Sequence, residues 1–294
     1  MAERDYLKVR EVPQKPVHLP GTRIELLHNA RPAKPPAHVL FDFDGTLSLV
    51  REGWTEIMVP LLAGHLMPFA RPGETAADIT AVTRDFVTRL TGKQTIYQMM
   101  ALADEIKLRG GTPLDPRDYK AEYLDRLMER IASRREGLAN GSIPRNDMLV
   151  PGSIELLEGL RERGATLYIA SGTDEAFVIE EARLLGVDVY APGRVYGALA
   201  DIAGFSKEMV IRRILSENKV DGASLLGFGD GYVEIVDTKA VGGFAVAVAT
   251  DEANRSGLCD AWKRERLIGA GADIVIPDYR EASALLEYVC GPVK

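Results

Sequence analysis

Cysteine is nearly absent, with Cys259 and Cys290 the only two in 294 residues. They stand alone, with no CxxC spacing and no histidine-rich neighbourhood, which argues against a disulfide framework or a zinc site and leaves two inert thiols. Histidine is scarce too. His18, His28, His38 and His65 match no metal-binding spacing and read as structural residues. Lysine or arginine runs are missing and the net charge is -7 at pH 7, so the molecule repels polyanions and nucleic acid is not an expected partner. No window approaches the ~18 uninterrupted apolar residues of a membrane span. The opening MAERDYLKVREVPQK is charged and lacks the apolar stretch of a signal peptide. These absences predict a cytoplasmic protein without a membrane partner, and they leave the oligomeric state open.

What is present is enough apolar material for a large core, 46% of residues, in a chain long enough for one large domain or two smaller ones. Residues 1–36 are rich in proline and charge, with only TRIELLH resembling a strand, and read as an arm laid over the domain. From Ala37 the texture changes to short apolar runs: HVLFDF, ATLYIAS, VDVYAP, SLLGFG, GFAVAVAT and ADIVIPD. Runs that are hydrophobic throughout suit strands buried on both faces of a parallel sheet. Amphipathic stretches lie between them, such as PGSIELLEGLRERG ending at Gly164 and TDEAFVIEEARLLG ending at Gly186. The alternation predicts an α/β sheet with right-handed crossovers over residues 37–50 and 149–294. Residues 51–148 interrupt it with helix-period segments alone, an insert of roughly 100 residues and large enough for a helical domain.

In an open parallel sheet, ligands bind beyond the carboxyl ends of the strands. Four such ends carry polar residues. Asp42 and Asp44 follow the first core strand, with Gly45 supplying a sharp turn. Two adjacent carboxylates repel one another unless a cation sits between them or one is protonated. A DxD pair alone is weak evidence, since acidic loops are common and glycosyltransferases use one to hold a metal. After the next strand, Ser171, Gly172 and Thr173 stand at a strand-to-helix junction, able either to hold an anion or merely to cap the helix. Lys207 falls in the first turn of a helix opening near Ser206, the unfavourable end of the dipole for a cation unless an anion is bound; a solvated lysine is the alternative. SLLGFGDGYVEIVD then repeats the first pattern with Gly229, Asp230 and Gly231, followed by Glu234, and two acids so spaced can address one hard cation. GFGDG does not match GxGxxG, which argues against a dinucleotide site. Jointly the four ends describe a phosphoryl-transfer site: a hydroxyl and a lysine for an anion, acids for a metal, and a carboxylate to attack.

The four motifs FDFDGT, IASGT, Lys207 and GDGYVE, in this order, resemble those of the haloacid dehalogenase-like superfamily, and the helical insert falls where many members carry a cap. The resemblance implies a Rossmann-like core with an inserted all-helical cap, Mg2+ as cofactor, Asp42 as nucleophile and Asp44 as general acid and base. It assigns the metal to Asp42, Asp44 (through its backbone carbonyl) and Asp230, with Glu234 at a position more often filled by Asp, and the phosphate to Ser171, Gly172 and Lys207. Dehalogenases and phosphonatases usually lack an acid at the second position, so Asp44 argues for transfer to or from oxygen. The expected activity is hydrolysis of a small phosphorylated metabolite; sugar phosphate is the default, and phosphoglycolate or a nucleoside monophosphate fits as well. The rivals are a phosphomutase with the same motifs, a DxD glycosyltransferase, which Lys207 and GDGYVE disfavour, and a non-catalytic sugar-phosphate sensor. Specificity is expected from the cap, with Arg51, Glu52, Trp54, Lys93 and Gln94 as candidates. The methionines and leucines of the insert, and Trp262, read as packing residues.

Overall fold

The computed structural model describes residues 6–28 and 30–292. Residues 1–5 and Asn29 of the expected arm, and 293–294 of the core, lie outside the described residues. Among the described residues, the strands are β1 (Val17–His18), β2 (Glu25–Leu26), β3 (His38–Phe41), β4 (Thr166–Asp174), β5 (Val195–Ala198), β6 (Leu225–Gly229), β7 (Phe244–Val248) and β8 (Ile274–Ile276). They form a single sheet in the order β1-β2-β8-β7-β6-β3-β4-β5. The six strands from β8 to β5 are parallel, and the arm adds β1 and β2 as an antiparallel flank.

Five core helices cover the sheet: α5 (Ser153–Glu162), α6 (Glu175–Leu185), α7 (Lys207–Asn218), α8 (Tyr232–Ala240) and α10 (Ala282–Cys290), with α9 (Ala261–Gly269) preceding β8. β3 is buried at every residue, and Phe41 stacks on Phe228 of neighbouring β6 with ring centroids 4.7 Å apart. Phe41 is in register with Ile169 on one side and Phe228 on the other, so β3, β4 and β6 run out at one edge. That alignment brings three distant segments together.

The insert forms α1 (Thr55–Leu66), α2 (Ala76–Arg89), α3 (Ile96–Leu108) and α4 (Pro116–Asn140). Asp115 caps α4 by accepting the Arg117 N–H, Pro116 takes its first turn, and Gly141 ends it with φ +78°. The connections into and out of the insert run side by side: the Leu49 N–H donates to Met148 O and the Val150 N–H to Leu47 O, both at 2.9 Å. Buried side chains are continuous from one sheet face into the insert, through Phe43, Leu49 and Val50 to Met58, Leu62 and Met99.

VDVYAP is not a strand. Gly186 ends α6 in the left-handed conformation, the Val187 N–H returns to Ala182 O, and Asp188–Tyr190 forms a tight 3-10 turn that buries Val187 and exposes Val189. The strand here is β5, eight residues further on. Burial pushes the Cys259 thiol up to about 12, with the Glu25 charge adding to it, and burial also raises Cys290. Both cysteines are therefore expected to resist iodoacetamide at pH 8 in the native protein and to react fully in guanidinium, as read by intact mass.

Candidate active site

Asp42 extends the β3 ladder by one residue, its N–H donating to Phe228 O at 2.9 Å, before the chain turns. Gly45 makes that turn at φ +73°, and a Cβ there would lie 2.2 Å from Asp230 Oδ2, so both backbone and space demand glycine. The Asp42 side chain is buried. Its Oδ1 accepts the Phe43 N–H and lies 2.8 Å from Lys207 Nζ, whose other contact is Glu234. Lys207 opens α7 behind the Ser206 cap, where a lysine is disfavoured by about 0.3–1 kcal/mol; two carboxylates offset that. Burial raises the Asp42 pKa to about 7; Lys207 opposes this and the nearby Asp230 charge adds to it.

Asp44 faces the same hollow. Its Oδ2 accepts hydrogen bonds from Ser171 Oγ at 3.2 Å and Thr173 Oγ1 at 2.8 Å, and its Oδ1 lies 3.8 Å from Arg51 Nε. Arg51 is buried and forms a two-pronged pair with the fully buried Glu181, at 3.0 and 2.8 Å. Burial works against the Arg51 charge, but Glu181 and then Asp44 outweigh it and raise its pKa. Asp230 completes the set. Thr46 Oγ1 accepts the Asp230 N–H at 3.0 Å, and Lys263 Nζ lies 2.7 Å from Asp230 Oδ2 and 2.5 Å from Glu252 Oε1. Each of the three aspartates thus meets a buried cation that is itself anchored by a glutamate.

Asp42, Asp44, Ser171, Gly172, Lys207 and Asp230 all line one cavity of about 90 Å³, together with Arg51, Trp54, Lys93 and Tyr123. Glu234 is absent from its wall. One Glu234 oxygen is taken by Lys207 and the other is buried without a hydrogen-bond partner, and among the described residues no three acids, histidines or cysteines form a metal-holding group. Glu234 is therefore not brought to the cavity with Asp42, Asp44 and Asp230. What fits a hard divalent cation is narrower: the Asp42 and Asp230 carboxylates, close enough for the charge of one to raise the pKa of the other, each also in contact with a lysine.

The cap candidates divide. Arg51 and Trp54 face the cavity. The Glu52 carboxylate is taken by Arg134 at 2.9 Å, and the Gln94 amide donates to Ile202 O and Phe205 O, fastening the α2–α3 loop to the core. Lys93 stands 5.4 Å over the Tyr97 ring, and its carbonyl abuts Gly172, where a Cβ would approach it to 2.5 Å. Glu181, Glu252 and Lys263 were not foreseen. The last two follow β7, whose carboxyl end opens on the same edge, so questioning that strand's end as the others were would have found them.

The family model of haloacid dehalogenase-like hydrolases matches residues 36–238. The chain belongs to this family. Its fold is similar to that of a predicted phosphoglycolate phosphatase from Haemophilus somnus (17% identity, 85% of this chain and 97% of that one, TM-score 0.52). It is also similar to a predicted phosphatase from Clostridium acetobutylicum (17%, 87% and 100%, 0.52) and to β-phosphoglucomutase from Clostridium difficile (14%, 84% and 92%, 0.53). No curated protein matches the sequence.

Folded Asp42 holds its proton up to about pH 7, whereas an ordinary Asp releases it near 3.8. The folded state binds more protons between these values, so this group's contribution to stability declines as pH rises across that window. In chelator-treated protein the melting temperature of Asp42→Asn is expected to gain on that of the wild type between pH 4.5 and 7; a pH-independent difference would contradict the raised pKa.

Proposed function

We propose that this hydrolase cleaves small phosphomonoesters through an aspartyl-phosphate on Asp42. The observation that carries the reading is the convergence of Asp42, its Lys207 partner and Asp44 on one 90 Å³ cavity, enough for a phosphoryl group and little more. Asp42 attacks phosphorus, forming a P–O bond as the ester P–O bond breaks. Asp44 protonates the departing oxygen and then takes a proton from the water that hydrolyses the phosphoenzyme. Two hydroxyls and Arg51 hold the Asp44 carboxylate for both tasks. Lys207 screens the negative charge around Asp42.

The three clusters hold six carboxylates against three cations, a poor host for a phosphate dianion. A divalent cation such as Mg2+, held by Asp42, Asp230 and the Asp44 carbonyl, would supply the missing positive charge and polarise the phosphoryl group.

The leaving group has to lie outside so small a cavity. Trp54, Thr91, Asp230 and Glu252 also line an adjoining cleft of about 1180 Å³ between α1, α2 and residues 250–266. Both tryptophans of the chain stand on it, Trp262 half exposed, and its lining has seven acidic residues against four basic ones. This balance supports a neutral or amine-bearing monophosphate over a bisphosphate or nucleoside diphosphate.

The test is phosphate release from a metabolite panel with and without Mg2+. Asp42→Asn is expected to lose on the order of 10⁴-fold or more in kcat, and Asp44→Asn about 10²–10⁴-fold on alkyl esters. Near-native turnover by Asp42→Asn overturns the nucleophile, and turnover that demands a bisphosphate primer turns the reading into a mutase. Trp262→Ala is expected to raise KM about two- to tenfold for ring-bearing monophosphates, a stacking contact being worth roughly 0.5–1.5 kcal/mol, with KM for acetyl phosphate unchanged.

A further inference from the structure

The cluster at Asp230 takes its cation and anchor from one stretch of chain after β7, outside the four motifs: Glu252 from the loop and Lys263 from the first turn of α9. Lys263 is 12% exposed and touches both carboxylates, at 2.7 and 2.5 Å. The nucleophile turn packs on the same pair, since a Cβ on Gly45 would lie 2.2 Å from Asp230 Oδ2 and 3.0 Å from Glu252 Oε1. Lys263 therefore divides its charge between two carboxylates on the cavity wall, Asp230 beside the nucleophile and Glu252 at the mouth shared with the adjoining cleft.

We propose that Lys263 and Glu252 are positioning residues that act through Asp230 and set the affinity of the site for a divalent cation, with opposite signs. This rests on the reading that Asp230 is a metal ligand. An ammonium 2.7 Å from one Asp230 oxygen competes electrostatically with a dication for the other, and so weakens the dication's hold. Glu252 draws the same ammonium toward itself and relieves Asp230. Removing the lysine charge leaves Asp230 and Glu252 as two uncompensated buried acids, which a dication satisfies. Removing the Glu252 charge leaves the ammonium to Asp230 alone.

The test is calorimetric titration of Mg2+ into the full-length protein without substrate, so that binding is read apart from turnover. Lys263→Met, which keeps the side chain's bulk, is expected to bind Mg2+ about tenfold more tightly than the wild type, and Glu252→Gln about tenfold more weakly. The double variant is expected to return to within about threefold of the wild type, its net charge being restored. Lys263→Met is also expected to melt at a lower temperature in chelator and to gain more from added Mg2+. Should both single variants weaken binding, or neither change it, Lys263 and Glu252 are scaffold and the proposal is overturned while the function above stands. Should Asp230→Asn retain the Mg2+ signal, the metal assignment itself fails, and the proposal with it. If Lys263→Met does not fold, a Glu252→Gln variant that binds as tightly as the wild type is sufficient to overturn the proposal.

Discussion

An ionised carboxylate taken out of water costs several kcal/mol unless a cation comes with it, and this site buries or half-buries six. The fold meets the cost in one way three times over. Lys207 stands between Asp42 and Glu234, Arg51 between Asp44 and Glu181, Lys263 between Asp230 and Glu252. In each cluster the aspartate faces the cavity; Glu181 and Glu234 stand behind their cations, while Glu252 shares the cavity wall with Asp230. A cation paired only with the reactive aspartate would be free to follow it. Held on both sides, the cation has little freedom to move, which is the preorganisation that the proposed phosphoryl transfer would demand of its surroundings.

The tethers also cross the boundary between the two structural units. Arg51 sits at the entry to the insert and Glu181 on α6 of the core, while Gln94 of the α2–α3 loop holds two core carbonyls. Gly172 belongs to the same seam, because its missing side chain is the space into which the Lys93 carbonyl fits. The insert is thus docked by polar contacts at the rim of the cavity as well as by the shared apolar cluster. The Arg51–Glu181 pair is buried, so parting the two units there would leave two uncompensated charges.

The strand ends were readable because glycine and aspartate at the close of an apolar run have few other uses, and β3, β4 and β6 carry such a pattern. What escaped was everything set by distance in space. Arg51 and Glu181 are 130 residues apart, and nothing in either's neighbourhood names the other. Glu234 has the spacing of a metal ligand, yet spacing along a helix fixes which face a carboxylate occupies, not which cation reaches it first. Glu52 and Gln94 are polar residues near the cavity in sequence, but their functional groups serve Arg134 and two backbone carbonyls. VDVYAP misled for a different reason: a short apolar run suits a buried strand, but here a tight turn buries Val187 and Ala191 and leaves Val189 exposed between them.

The arm also shapes how molecules of this protein meet one another. β2 pairs with β8 through Glu25 and Leu26, and Arg264 grips the Glu25 carboxylate at 2.6 Å with both prongs. β1 then covers β2 in turn. A parallel sheet ending at β8 would present a row of unsatisfied amide and carbonyl groups along three apolar residues, an invitation to cross-molecular strand addition. With the short hairpin clipped over that margin, the β8 flank is closed to a neighbouring chain, and the edge left open there is the exposed two-residue β1.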